Sequence, residues 1–199
     1  FDFEDAYLKQ EDFLPMSEED GFSSKVMAAA WDFAVSKADA ANRTACVVGG
    51  KDATNLLHHL DVRVGRWNSL EIIDEMFSIQ ERWNPEVQFV EDGVIWKSMA
   101  PMINREMQVR DKYINLRPIL PVKDKSSRAR SMQKRMRAGT CRYDKKAPWY
   151  EPFEAELLKF TGTSEATLDD QFDAAALLSR GFEEVRHIED DDFKTEEEE

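Results

Sequence analysis

Apolar and polar residues alternate along the first third of the chain in blocks of strand length. Three such runs lie at about residues 26–34, 44–48 and 55–64. A polar turn separates the first two runs, and Gly49 and Gly50 are expected to end the second. This pattern predicts an antiparallel meander of three strands.

From residue 69 the apolar positions follow the 3.6-residue period of a helix, and short apolar strands lie between the helical segments. Ser69 is expected to cap the first helix, and Asn84 with Pro85 to end it. The predicted helices cover residues 69–83, 95–109, 125–137 and 150–160, and a final helix from residue 169 to Gly181; the predicted strands cover 87–91, 114–120 and 140–143. This order predicts an α/β fold with a mixed central sheet, an antiparallel meander followed by parallel strands, flanked by helices.

The length of 199 residues fits one domain better than two. We expect an acidic arm at 1–24, a folded domain at 25–188 and a disordered acidic tail at 189–199. The chain begins without Met, and we expect it to be a fragment of a longer soluble protein. Cys46 and Cys141 show no paired spacing, which favours a reducing cytosolic setting. No nucleotide-binding glycine motif is present, so nothing indicates nucleotide hydrolysis.

The distribution of charge matters more than its sum. A net charge of −13 argues against a nucleic-acid partner, but the acids are concentrated at the two ends of the chain. Residues 123–146, called here the basic segment, carry ten Lys or Arg against two Asp. A solvated helix face is the ordinary interpretation of such a run. Contact with DNA phosphates is favoured because the remainder of the chain is so acidic.

Acidic residues recur at the predicted ends of buried elements. Asp32 follows the first apolar strand, Glu91 follows the strand at 87–91, and Asp169, Asp170 and Asp173 open the last helix. Singly, each fits a solvated strand end, a turn or a helix cap. Carboxylates that converge without a nearby Lys or Arg need divalent cations between them, and oxygen ligands favour Mg²⁺ or Mn²⁺. Two such ions would suit hydrolysis of a phosphodiester.

These segments together resemble the C-terminal nuclease domain of the large terminase subunit of tailed bacteriophages. The resemblance rests on WDFA at 31–34, NRTA at 42–45, FVE at 89–91, DKSSRA at 124–129 and D-D-Q-x-D-A at 169–174. It spans about residues 26–182 and depends on the order of the motifs rather than on any single one. It implies an RNase H-like fold and a metal-dependent endonuclease that cuts concatemeric viral double-stranded DNA.

The resemblance also assigns roles to particular residues. Asp32 matches the acid of the first strand and Glu91 that of the second. Asp170 is the first choice of ligand in the late cluster, Asp169 shares that role or caps the helix, and Asp173 ligates or supports Asp170. Lys125 matches a Lys of the family and is expected to reach the scissile phosphate. The other expected DNA contacts are Lys123, Arg128, Arg130, Lys134, Arg135 and Arg137.

The chain departs from the family pattern at one motif. Many relatives read D-Y-T-A where this chain has Asn42, Arg43, Thr44 and Ala45. Asn42 cannot supply an accessory carboxylate, and Asp39 is the candidate to replace it.

The expected function is therefore cleavage of viral DNA by two Mg²⁺ or Mn²⁺ ions in a packaging motor within the host cytoplasm. An upstream ATPase domain, the portal and the small terminase subunit are the expected partners. Two alternatives remain open. One is a junction-resolving or RNase H-type nuclease of the same fold, and the other is a docking module without catalytic activity.

Overall fold

A mixed six-stranded sheet forms the centre of the part of the chain that the structure, a computed structural model, describes: residues 7–34, 43–160 and 169–196, without the side chains of Lys125 and of residues 186–196. The strands are β1 (Lys25–Asp32), β2 (Thr44–Asp52), β3 (Leu57–Gly65), β4 (Val87–Glu91), β5 (Leu116–Ile119) and β6 (Cys141–Tyr143). Their order across the sheet is β5-β4-β1-β2-β3-β6. The first three strands pair antiparallel, and β4, β5 and β6 each pair in parallel with a neighbour. The predicted mixed sheet is confirmed.

Helices cover both faces of this sheet. They are α1 (Glu18–Phe22), α2 (Ser69–Trp83), α3 (Val94–Arg110), α4 (Lys125–Arg137), α5 (Tyr150–Leu158) and α6 (Asp170–Glu196). Ala29 and Trp31 of β1 pack in the apolar cluster that contains the buried residues of α2 and α3. Ala28 and Ala30 pack in the cluster of α4, α5 and α6. Alternate residues of a strand point to opposite faces, so the stretch from Ala28 to Trp31 is apolar because both faces of β1 are covered there.

Residues before β1 pack against the edge of the sheet that β6 forms. Leu8 and Phe13 are buried, and the ring of Phe13 lies 5.2 Å from that of Tyr143 in β6, centroid to centroid. The Tyr143 backbone also donates to the Leu14 carbonyl and accepts from the Met16 amide, each at 2.9 Å. The division into an arm at 1–24, a domain at 25–188 and a disordered tail at 189–199 stays a prediction.

Two glycines that were expected to end elements instead lie inside them. The prediction that Gly49 and Gly50 end the second strand is wrong, because β2 continues to Asp52. A Cβ on Gly49 would lie 2.8 Å from Leu178 Cδ2, so the missing side chain makes room for α6 to lie against the sheet. The prediction that the last helix ends at Gly181 is also wrong, since α6 continues to Glu196.

Gly181 has the same function on the other side of the contact. A Cβ there would lie 2.6 Å from Cγ of the buried Phe89 in β4, so glycine lets the helix backbone approach this ring.

A smaller correction concerns the start of α2. Its cap is Asn68 rather than Ser69, and the Asn68 side chain accepts from the Glu71 amide at 2.9 Å. The helix ends as predicted, at Asn84 in the left-handed conformation. In the described residues no helix has the length and apolarity needed to cross a membrane.

Candidate metal and nucleic-acid site

Asp32 and Glu91 stand at the ends of the two central parallel strands. The parallel pairing of β1 with β4 sets Trp31 opposite Val90, so the acid that follows each of them lies at the same edge of the sheet. Asp32 also pairs with Ala45, which belongs to the apolar cluster on the α6 side. The Asp32 side chain therefore points to the face that α6 covers. The sequence prediction that the second acid follows the strand beside β1 is correct.

The start of α6 brings further acids to this edge. Asp170 is its first residue and is buried, and Asp173 follows one turn later. Burial is the main cause that raises the pKa of Asp32 well above its ordinary value, followed by the negative charges of Asp173, Asp170 and Glu91. Asp32 keeps part of its surface open to solvent, but protein surrounds its carboxyl group closely. We call Asp32, Glu91, Asp170 and Asp173 the acid cluster.

Asp169 lies just before α6 and is half-buried. Its backbone carbonyl accepts from the Asp173 amide at 2.8 Å, as at the start of a regular helix. Asp39 and Asn42, the candidates for an accessory position, lie outside the described residues. The structure thus brings three of the other four predicted acids, Glu91, Asp170 and Asp173, close to Asp32, and the backbone of Asp169 takes part in the first turn of α6.

Arginines stand close to the acid cluster, and the sequence had indicated only one of them, Arg128, as an expected DNA contact. The charge of Arg128 in α4 opposes the rise in the pKa of Asp32. Burial lowers the pKa of Arg180, and the charge of Glu91 acts against that decrease. Arg180 also donates to the Leu120 carbonyl at 2.5 Å. The side-chain Nε of Arg128 is buried and has no hydrogen-bond partner among the described residues. The premise of carboxylates without nearby cations is therefore wrong.

A third arginine contacts Asp170 directly. Arg43, the residue before β2, donates from Nε to Asp170 Oδ2 at 3.3 Å and from Nη2 to Glu156 Oε1 at 2.6 Å. We call this set of three residues the Arg43 bridge. Sequence reasoning missed Arg43 and Glu156, which are 113 positions apart. Glu156 is one of three glutamates in α5, and no local pattern distinguishes it from a solvated acid.

The acid cluster fits a hard divalent cation in the type of its donors. Its oxygens suit Mg²⁺ or Mn²⁺, and the raised pKa of Asp32 shows that its charge is poorly compensated by the protein. As they stand, no three His, Cys, Asp or Glu side chains in the described part of the chain are arranged to hold an ion. Binding therefore requires some of these carboxylates, the exposed Glu91 among them, to turn towards a common centre.

The predicted DNA contacts divide into four groups. Lys123, Arg130 and Lys134 are exposed, and the latter two line a groove of about 370 Å³ together with Arg180. Arg128 lies close enough to Asp32 for its charge to act on that carboxyl group. The side chain of Lys125 lies outside the described residues.

The remaining two basic residues are bound to their own chain. Arg135 donates to the Asn55 carbonyl at 3.2 Å, and Arg137 pairs with Asp12 at 2.8 Å. These contacts turn both arginines towards the protein rather than towards a ligand.

A pocket of about 300 Å³ opens directly beside the acids. Asp32 and Glu91 form part of its wall, and the remainder is mainly apolar, with Phe33 and Trp96 as its partly exposed aromatic residues. Space for a substrate group therefore exists at the edge of the sheet where the carboxylates meet.

No family model matches the chain, and no curated protein matches it in sequence. Solved structures do match in fold. The large terminase nuclease of thermophilic phage G20c with bound cobalt has a TM-score of 0.61 and 14% identity over 88% of this chain and 96% of that one. The human cytomegalovirus terminase nuclease domain, Mn soaked and inhibitor bound, has a TM-score of 0.61 and 10% identity over 87% and 93%.

A third match is the G20c nuclease with bound magnesium, with a TM-score of 0.55 and 16% identity over 78% of this chain and 81% of that one. The sheet order, the helices on both faces and these matches define an RNase H-like fold. Within that class, the fold is the one found in the nuclease domains of large terminases. The resemblance drawn from the sequence motifs is confirmed at the level of the fold.

Proposed function

We propose that this domain is a divalent-metal-dependent endonuclease of a viral DNA-packaging terminase, and that it cuts concatemeric double-stranded DNA. The observation that carries the proposal is the convergence of Asp32, Glu91, Asp170 and Asp173 at one edge of a terminase-type RNase H-like sheet. Fold alone does not determine activity, so the acid cluster is the essential support.

Asp32, Glu91 and Asp170 are proposed to hold two Mg²⁺ or Mn²⁺ ions, with Asp173 or Asp169 completing the ligand set. Such ions, when bound, activate a water molecule and stabilise the departing oxygen of a phosphodiester. The protein supplies fixed positions: two acids stand on adjacent strands, and the others stand on the first turn of a helix packed against those strands. Arg128 and Arg180 offset part of the negative charge that the phosphate of a substrate would meet.

Lys123, Arg130 and Lys134 are proposed to contact backbone phosphates, with Lys125 directed at the scissile one. Contacts of this kind position the duplex without reading its sequence. Arg135 and Arg137 have a smaller share, since their guanidinium groups already bind the protein. We further propose that the domain acts in the host cytoplasm, joined to an ATPase domain and assembled with the portal and the small terminase subunit.

Cleavage of supercoiled plasmid by the full chain with Mn²⁺ tests the proposal. Wild type should nick and then linearise the plasmid, and Asp32→Asn should lower the rate by about 100-fold or more, since even residues that only support a metal ligand contribute about 10–100-fold. Asp74→Asn is the matched control, because it removes one exposed carboxylate of α2, on the face of the sheet opposite to α6. Full cleavage by Asp32→Asn would overturn the assignment.

Cleavage assays with other DNA substrates and other metal ions separate the two alternatives. Cleavage of a four-way junction with linear duplex left intact would favour a junction-resolving nuclease. No cleavage of any substrate with Mg²⁺, Mn²⁺ or Co²⁺ would favour a docking module whose acidic ends bind other components of the motor.

A further inference from the structure

Arg43 joins two acids that come from different helices. Its Nη2 donates to Glu156 of α5 at 2.6 Å, and its Nε donates to Asp170 of α6 at 3.3 Å. The side chains of Glu156 and Asp170 are 8% and 12% exposed, and that of Arg43 is 24% exposed. Ion pairs of this kind differ from exposed surface pairs, because both carboxylates have lost most of their contact with water.

Glu156 is in turn fixed by the start of α6. Its Oε2 accepts from the backbone amides of Gln171 at 2.7 Å and Phe172 at 3.2 Å. Its Oε1 accepts from the Gln171 side-chain amide at 3.1 Å. The first amides of a helix have no partner within the helix, and a carboxylate is favourable at this end. Glu156 therefore caps α6 from a neighbouring helix and holds the turn that carries Asp170.

The Glu156 end of the bridge carries more hydrogen bonds, since Glu156 also accepts from the start of α6. The short contact with Glu156 anchors the guanidinium, and the longer one places a single N–H against one oxygen, Oδ2, of Asp170. An arginine can make both contacts because its donors form a rigid planar fork, whereas a lysine carries a single point charge.

We propose that Arg43 and Glu156 are positioning residues for metal binding: they hold Asp170 by Oδ2 and direct its other oxygen to a divalent ion. This inference rests on the proposed function, in which Asp170 is a metal ligand. The bridge fixes the rotamer of Asp170 from outside the acid cluster. Partners that orient a metal-binding carboxylate typically contribute about 10–100-fold to metal affinity.

Direct titration of the full, metal-free chain with Mn²⁺ by calorimetry tests this inference without any measurement of cleavage. Arg43→Gln, Arg43→Lys and Glu156→Gln should each weaken Mn²⁺ binding by about 10-fold or more. Arg43→Lys is decisive because it keeps the charge and loses the fork. Arg63→Gln is the matched control: Arg63 lies on β3 and likewise pairs with two acids, Asp61 at 3.2 Å and Glu75 at 3.1 Å. The affinity of the Arg63→Gln variant for Mn²⁺ should equal that of wild type.

Thermal unfolding of every variant accompanies the titration, and binding is measured well below the lowest midpoint. Wild-type affinity in Arg43→Lys would overturn the inference, because charge alone would then be sufficient. Equal or tighter binding by Arg43→Gln would also overturn it, since Arg43 would be only a counter-ion. A lower unfolding temperature with unchanged affinity would reduce the bridge to a structural contact. If wild type itself binds no Mn²⁺, the proposed function fails, and this inference fails with it.

Discussion

Asp32 and Glu91 occupy equivalent positions on neighbouring parallel strands, each one residue beyond the paired Trp31 and Val90. Residues in register on parallel strands point to the same face, so both carboxylates leave the sheet on the side where α6 begins. Trp31 and Val90 point the other way, into the core beneath α2 and α3. The change from buried apolar residue to acid occurs at the same level on both strands, and it creates the edge on which the proposed site is built.

Replacement of Asp32 by Asn should stabilise the metal-free domain. Burial, and after it the charges of Asp173, Asp170 and Glu91, raise the pKa of Asp32, so the folded state keeps this proton to a higher pH than the unfolded chain does. Ionisation therefore costs stability once the pH rises above the unfolded-state pKa of about 3.9, and the full cost is present above the folded-state pKa.

Urea unfolding in EDTA measures this effect. The free energy of unfolding of Asp32→Asn should exceed that of wild type by about 1 kcal/mol at pH 8, with a smaller difference at pH 5. Excess Mn²⁺ should stabilise wild type and leave the variant unchanged. A variant less stable than wild type at pH 8 would contradict the unfavourable environment assigned to this carboxyl group.

Much of the fold could be predicted from periodicity. The apolar run at residues 26–34 and the helical stripe from residue 69 predicted β1 and α2, and the continuous apolar run at 87–91 predicted a strand buried on both faces. The errors occurred where glycine serves packing rather than termination. Gly49 and Gly181 were expected to end a strand and a helix, but each removes a Cβ where α6 meets the sheet. Such long-range contacts leave no local signal in the sequence.

Arg130 and Lys134 should contribute to DNA affinity, whereas Arg137 should contribute to stability. Arg130→Gln and Lys134→Gln should each weaken duplex binding and reduce the slope of log affinity against log salt by about 1, as expected for a lost phosphate contact. Arg137→Gln should leave that slope unchanged and lower the free energy of unfolding by about 1–3 kcal/mol, because the buried Asp12 loses its charged partner.

Fluorescence anisotropy with a labelled duplex in EDTA measures the slopes, and thermal unfolding measures the stabilities. Equal changes of slope in all three variants would show that the distinction between exposed and protein-bound basic residues has no effect on DNA binding.

The stability of the domain should fall between about pH 6.5 and pH 4 in part because of His59. Burial is the main cause that lowers the pKa of this histidine to about 4. The unfolded chain takes up the proton near pH 6.5 and the folded chain does not, so stability is lost as the pH falls through this window, by up to about 1.36 kcal/mol per pH unit.

His59→Phe isolates this contribution, because it keeps an aromatic ring where His59 stacks on Tyr143 at 4.3 Å between centroids. Between pH 4.5 and pH 6 the free energy of unfolding of the variant should depend less steeply on pH than that of wild type. Carboxylates titrate in both proteins, so the difference between the two slopes is the informative quantity. Parallel slopes would contradict a neutral, buried His59.

The candidate site could be predicted only in its acids. Asp32 and Glu91 follow apolar runs and Asp170 precedes one, and that local contrast marks them. Arg43 and Glu156 lie far from Asp170 in the sequence, and their contact depends on how α5 and α6 pack. The basic segment was recognisable as a whole, but which of its arginines face the protein depends on α4 packing, which composition does not specify.

A Mn²⁺-soaked crystal of the full chain, measured at the manganese absorption edge, tests the proposed site most directly. Anomalous density should appear between Asp32, Glu91 and at least one of Asp170 and Asp173, with their carboxylate oxygens as direct ligands, and with Arg43 still bound to Glu156. Absence of density at the acid cluster, with these carboxylates paired instead to Arg43, Arg128 and Arg180, would contradict a metal-dependent nuclease.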